Sequence, residues 1–61
     1  MNREEAINII NKKRIENSFT MSLSIDEFTS GFRKRYSTMF KEILPSDYIS
    51  IAEKIIEIDN Q

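Results

Sequence analysis

The clearest pattern in the chain is a stripe of apolar residues between positions 24 and 43. On a helical wheel of about 100° per residue, these side chains fall within an arc of roughly 120°, the width of a core-facing stripe. Ser24 and Glu27 form a capping-box pattern at its start, and Pro45 prevents the helix from continuing beyond Leu44. The pattern predicts a central helix of about 20 residues and roughly 30 Å, from Ser24 to Ile43. The apolar stripe consists of Ile25, Phe28, Phe32, Tyr36, Met39, Phe40 and Ile43.

Shorter apolar patterns predict one further helix on each side of this stretch. Asn2 is a candidate N-cap, and the two apolar turns that follow it predict a first helix that ends near Glu16. Ser46 or Asp47 begins a third helix, with Ser50 as a competing start one turn later. The apolar residues of the third helix cover about half of its wheel, which is wider than one packing seam requires. They are Tyr48, Ile49, Ile51, Ala52, Ile55, Ile56 and Ile58.

Between the first two helices, Phe19 to Leu23 alternates apolar and polar residues, a pattern typical of a half-buried strand. Since one strand cannot satisfy its own backbone groups, the segment either packs as an extended connector or pairs with the same segment of a second chain. The ordinary length of the connection favours the connector. The predicted fold is all-α: a single small three-helix domain over residues 1–61, with a long central helix and a short extended segment between helices 1 and 2.

The length and composition of the chain limit the stability that its own hydrophobic core can supply. A chain of 61 residues buries only about 60% of its unfolded surface. With no Cys and no His, neither a disulfide nor an ordinary zinc site is available to reinforce the fold. Eleven Ile, four Phe and two Tyr supply apolar surface. We therefore expect the protein to self-associate, most simply as a homodimer, or to dock on a protein partner.

Catalysis is not expected from this set of residues. The single Gly31 rules out a glycine-rich phosphate loop, and without His or Cys the usual nucleophile–base pairs cannot form. Asp26 and Glu27 are the nearest pair of carboxylates, and helix capping accounts for both. The prediction is a protein that is not an enzyme and uses no cofactor, metal or small-molecule substrate.

In the central helix, Gly31 indicates either the close approach of a neighbouring helix or a break.

Net charge and hydropathy indicate which class of partner and which cellular compartment are expected. The net charge of −1 and the pI near 5.3 argue against a polyanion-binding surface. No apolar run is long enough to span a membrane and no signal peptide begins the chain, so we expect a cytoplasmic protein. Abundant Ile, Asn, Lys and Glu, without Val or Trp, indicate an AT-rich genome such as that of a low-GC bacterium or its phage.

The first functional hypothesis is a small regulatory protein-interaction module, such as an inhibitor, an antitoxin-like protein or an anti-host factor. It would bind a protein partner or itself through the wide apolar face of the third helix. The acidic residues of that helix would be complemented by a basic partner surface. The partner-binding residues predicted on this helix are Tyr48, Ile51, Ile55, Ile58, Glu53 and Glu57.

The alternative hypothesis is DNA binding. In residues 18–58, an alternating segment followed by two helices resembles the order of elements in ribbon-helix-helix transcriptional regulators, whose paired strands enter the major groove. The resemblance implies that Ser18, Thr20 and Ser22 face outward and read bases. Basic residues would contact phosphates, although a cluster at the end of the first helix also suits the helix dipole. The basic residues in question are Lys12, Lys13, Arg14 and Lys34.

Overall fold

The chain folds into three α-helices in a computed structural model that describes residues 1–17 and 22–60. Helix α1 spans Arg3–Glu16, α2 spans Ile25–Phe40 and α3 spans Tyr48–Asp59. The described part of the chain contains no β-strand. The prediction of an all-α three-helix fold is therefore confirmed.

Most of the predicted extended segment lies outside the described residues. Of Phe19 to Leu23, the structure describes residues 22 and 23, which form a turn before α2. The Arg14 guanidinium donates a hydrogen bond of 2.6 Å to the Leu23 carbonyl oxygen. This bond joins the end of α1 to the residues that precede α2.

Each helix begins at a predicted N-cap. The Asn2 side chain accepts a hydrogen bond of 2.8 Å from the backbone N–H three residues further on. At the start of α2, the Ser24 hydroxyl accepts from the Glu27 N–H and the Glu27 carboxylate accepts from the Ser24 N–H, which completes the capping box. Asp47 caps α3 by accepting from the Ser50 N–H at 3.2 Å, so Asp47 and not Ser50 begins this helix.

Helix α2 is shorter than the sequence predicted. It ends at Phe40 after 16 residues, and not at Ile43, because Lys41 adopts the left-handed conformation with φ 55° and ψ 32°. The turn directs Leu44 into the core, where it is 1% exposed, and leaves Ile43 90% exposed. A hydrogen bond of 3.1 Å from Arg33 Nε to the Leu44 carbonyl oxygen holds this turn against α2.

Helices α1 and α3 form the most extensive helix pair, and α2 packs against both. The pair runs parallel. At its N-terminal end the Arg3 guanidinium lies 5.1 Å from the centre of the Tyr48 ring, and at its C-terminal end Lys13 forms an ion pair of 2.7 Å with Asp59. Towards its C-terminal end α2 contacts α3, where the Lys54 ammonium group lies 4.6 Å from the centre of the Phe40 ring.

The core lies where the three helices meet. It contains residues of every helix and also Leu44, which belongs to the connection between α2 and α3. Among the described residues, the polar side chain of Thr29 is buried beside it, and its hydroxyl donates to the Asp26 carbonyl oxygen at 3.1 Å. Satisfying this hydroxyl within the helix removes most of the cost of burying it. The core residues are Ala6, Ile10, Phe28, Phe32, Leu44, Ile51, Ala52 and Ile55.

Two further features are absent from the described residues. None of their helices combines the length and the hydrophobicity needed to cross a membrane. Within the same residues, no group of three or more His, Cys, Asp or Glu side chains is arranged to hold a metal ion.

Candidate functional site

The apolar face of α3 is used inside the protein, so the predicted partner surface on this helix must be corrected. Ile51 is fully buried and Ile55 is 2% exposed, and both belong to the core. The wide face does contact two neighbours, but both neighbours, α1 and α2, belong to the same chain. Ile58 is half-buried against the core, while Ile56 is 40% exposed. Ile51 and Ile55 are therefore not available to bind a partner in the folded chain.

The acidic residues at the end of α3 are complemented by lysines of the same chain. Lys54 forms ion pairs with Glu42 at 2.8 Å and with Glu57 at 3.5 Å. Asp59 pairs with Lys13 across the α1–α3 contact, and the hydrogen bond between them raises the pKa of Lys13. The hydrogen bond that Lys54 donates to the Glu42 carboxylate raises the pKa of Lys54 in the same way. A basic partner is therefore not needed to offset these charges.

Tyr48 also has a structural role. Its hydroxyl donates to the Asp26 carboxylate, and this hydrogen bond raises the pKa of Tyr48. Together with the Arg3 guanidinium over its ring, this contact joins the N-terminal turns of all three helices. Glu53, another predicted partner-binding residue, is exposed on α3.

Two of the basic residues considered for DNA binding stabilise the fold. Lys13 is paired with Asp59, and Arg14 holds the Leu23 carbonyl oxygen. Ser18 and Thr20 lie outside the described residues, so the structure does not place the base-reading segment. The remaining residues of this hypothesis are exposed, namely Lys12, Ser22 and Lys34.

A cleft of about 250 Å³ lies between the C-terminal end of α1 and one side of α2. We call it the α1–α2 cleft. Lys13 of α1 and its C-cap residue Asn17 line one wall, and Leu23 lies at the end where α2 begins. The side of α2 that faces the cleft contributes two rows of residues, each with the four-residue spacing that places side chains on one helix face. The rows are Phe28, Phe32 and Tyr36, and Glu27, Gly31 and Arg35.

The first row forms an aromatic floor. The ring centres of Phe28 and Phe32 are 6.3 Å apart and those of Phe32 and Tyr36 are 4.6 Å apart, with the rings tilted by 36° and 40°. Phe28 and Phe32 are buried, whereas Tyr36 is only half-buried. Beyond Tyr36 the apolar surface continues to Met39, which is 51% exposed. The floor thus becomes progressively more accessible towards the C-terminal end of α2.

The second row carries opposite charges on the two sides of a glycine. Glu27 and Arg35 lie one turn before and one turn after Gly31, and the Arg35 guanidinium lies 5.7 Å from the centre of the Tyr36 ring. Gly31 does not break the helix. Apart from its chain neighbours and the backbone of its own helix, no described atom lies within 4 Å of the position that a Cβ atom would occupy at Gly31. Of the two explanations for this glycine, the break is wrong, and the described residues supply no closely approaching helix.

Glu27 is ionised more readily than an ordinary glutamate. Two hydrogen bonds with Ser24 lower the pKa of Glu27 from its ordinary value of 4.5. The bond from the Ser24 backbone N–H has the larger effect, and the bond with the Ser24 side chain has the smaller one. Because the pKa is lower in the folded state, the carboxylate stabilises the fold above the unfolded-state pKa, and this contribution is lost as the pH falls through the folded-state pKa.

Glu27→Gln is therefore expected to reduce the fall in thermal stability that accompanies acidification below pH 4.5. Thermal unfolding followed by circular dichroism in dilute solution, at pH 7 and through this acidic range, would measure the effect. Glu53→Gln, an exposed change on α3, is the matched control and should retain the wild-type pH dependence. Equal pH dependence of the wild type and Glu27→Gln would contradict this assignment.

The sequence pattern placed all the aromatic rings of α2 in the core and did not identify the cleft. The available signal was the row beside them. Glu27, Gly31 and Arg35 follow the apolar stripe at its edge, and the one glycine of the chain lies between the two charges.

Comparison of the chain with protein families, with curated proteins and with solved structures gives no match. The fold and the cleft therefore carry the functional argument by themselves.

Proposed function

We propose that this protein is a small, non-enzymatic interaction module that regulates its target by binding, as an inhibitor, an antitoxin-like protein or an anti-host factor does. Its binding surface is the α1–α2 cleft together with Met39. The target is a protein, either another chain or a second copy of this one. This surface replaces the α3 face that the sequence pattern favoured.

The observation that carries the proposal is the accessible end of the aromatic floor, where Tyr36 is half-buried and lies beyond the two buried phenylalanine rings. Protein-binding hot spots are enriched in aromatic residues and arginine, set in a desolvated centre with charged groups at the rim. The cleft has this composition, with Tyr36 half-buried on its floor, Arg35 stacked on Tyr36 and Glu27 at the opposite end. Met39 adds exposed apolar surface next to it.

The polar groups of the cleft favour binding over catalysis. The Glu27 carboxylate accepts the Ser24 N–H, and the Lys13 ammonium group is paired with Asp59. Both are engaged in structural contacts and keep their ordinary charge. A general acid or base works best when its pKa is near neutrality, and the pKa shifts of these two groups move them further from it.

Site-specific photo-crosslinking in cells that naturally express the protein tests this proposal. A photoreactive amino acid in place of Thr38, which is exposed on α2 beside Arg35 and Met39 and is not one of the proposed binding residues, is expected to give one covalent adduct. Its second component is identified by mass spectrometry. The same amino acid in place of Glu4, which is exposed on α1 away from the cleft, should give none. Met39→Glu in the Thr38 probe should abolish the adduct. Ile15→Glu, a matched change at a residue that is 60% exposed, should not.

Absence of an adduct at position 38, or an adduct unaffected by Met39→Glu, would show that the cleft is not the binding surface. A probe in place of Glu53 tests the earlier hypothesis in the same cells. An adduct from position 53 alone would show that the partner binds to α3.

A further inference from the structure

The exposed edge of α2 carries a row of residues that is complementary to itself. Glu27, Gly31 and Arg35 lie one turn apart, and the same spacing reaches Met39 near the end of the helix. At the other end Leu23, which precedes the N-cap Ser24, lines the same cleft beside Glu27. The row reads apolar, negative, glycine, positive, apolar. Reversed in direction, it places a positive charge where the original has a negative one, and an apolar residue where the original has an apolar residue.

A two-fold axis makes use of such a row. In a dimer with this symmetry the same surface patch meets itself, and two copies of one helix run antiparallel. With the axis at Gly31, Glu27 of each copy lies opposite Arg35 of the other. Leu23 and Met39 meet in the same way at the two ends. Packing of rows with this spacing gives helix axes that cross at about 50°.

We propose that the α1–α2 cleft is the interface of a symmetric homodimer in which two α2 helices cross antiparallel at Gly31. This inference rests on the proposed function and names its partner as a second copy of the chain. The charge pattern selects that partner, because every charged or apolar member of the row finds its complement on the row itself. The aromatic floor lies directly beside the row and is covered by the second copy.

Gly31 gives an independent reason for placing the axis there. Glycine in a helix interior is destabilising relative to alanine. The described part of the chain leaves the space above Gly31 open, so packing within that part does not require a glycine. At the centre of a helix crossing, a residue without a side chain lets the two backbones approach closely.

The two charges are suited to this contact. Arg35 is exposed, and its guanidinium lies over Tyr36, which keeps its charged end at the rim of the cleft. Glu27 uses one carboxylate oxygen to accept the Ser24 N–H, and a carboxylate has a second oxygen that can accept from an arginine.

Sedimentation or light scattering of purified single-charge variants tests the dimer. The contact involves one helix face, and an interface of this size binds weakly. The concentration series should therefore run from about 1 μM to about 1 mM. Arg35→Glu places two acidic residues opposite two acidic residues and is expected to raise the dimer Kd by about tenfold or more, since symmetry counts each repulsion twice. Glu27→Arg should have the same effect through opposed arginines. An equimolar mixture of the two variants should recover dimers, because both crossed pairs are then complementary.

Matched variants separate the interface from general effects of charge. Lys12→Glu makes the same change of charge, but Lys12 is exposed on the side of α1 that faces α3 and does not line the cleft, so dimerisation should be unaffected. Gly31→Arg adds a side chain into space that is open within the described chain, so its helicity should remain while the dimer is lost. This variant decides the matter if Glu27→Arg, which also alters the capping box, fails to fold.

A wild-type protein that stays monomeric to about 1 mM would overturn the homodimer. So would a dimer that is unaffected by both Arg35→Glu and Gly31→Arg, or a failure of two folded charge variants to recover dimers when mixed. The proposed function has a separate outcome. An adduct between position 38 and a different protein, in a chain that is monomeric alone, would support the binding surface and rule out only the second copy as its partner.

Discussion

Replacement of Ile51 by aspartate is expected to unfold the protein at 25 °C. Ile51 lies on α3 and is fully buried in the core of the protein. An unpaired carboxylate there costs several kcal/mol in addition to the lost apolar contacts. Small domains are stable by only about 0.05–0.15 kcal/mol per residue, so a chain of 61 residues cannot absorb this loss. Circular dichroism should show loss of most of the helical signal.

Ile56→Asp is the matched control, because it makes the same substitution on the same helix at a side chain that is 40% exposed. This variant should remain folded, with a thermal midpoint much closer to that of the wild type. If both variants unfold, the unfolding results from the presence of an aspartate in α3 and not from the burial of Ile51. If Ile51→Asp remains folded and only its association with a partner changes, Ile51 is a surface residue and the core described above is wrong.

Phe32→Ala is expected to destabilise the fold by about 3 kcal/mol, through the lost burial and the cavity that remains. Phe32 is 6% exposed and lies between Phe28 and Tyr36, so truncation also removes both ring contacts. Urea unfolding followed by circular dichroism would measure the change in the free energy of unfolding. A loss of this size is a large fraction of the stability of such a domain and should leave much of the protein unfolded.

Met39→Ala is the control for this prediction. Met39 belongs to the same predicted apolar stripe but is 51% exposed, so the free energy of unfolding in dilute solution should change by less than about 1 kcal/mol. Comparable losses from Phe32→Ala and Met39→Ala would mean that α2 buries its stripe evenly, which would leave no accessible floor for the cleft.

The sequence predicted where the three helices begin, because N-capping depends on chemistry within four residues. Asn2, Ser24 and Asp47 each accept the expected backbone N–H. The end of α2 was less predictable. Lys41 adopts the left-handed conformation without being a glycine or an asparagine, so no local signal marked it, and Ile43 was placed in a helix that had already ended.

The binding surface could not be predicted from one helix at a time. A helical wheel shows that α3 is apolar over a wide arc, but it does not show whether the second neighbour belongs to the same chain. Here α1 and α2 cover Ile51 and Ile55 from within. The α1–α2 cleft depends on how the helices pack against each other, and that packing is set by contacts between residues distant in sequence.

The position of Leu44 has a consequence for how this protein can evolve. Connections between helices usually tolerate insertions and deletions, since they lie on the surface and contribute little to the core. Here the connection supplies Leu44 to the core, with Arg33 holding its carbonyl oxygen. One added residue between Phe40 and Leu44 would displace the leucine. Homologues should therefore keep the length of this connection constant, while the identity of the exposed Ile43 is free to change.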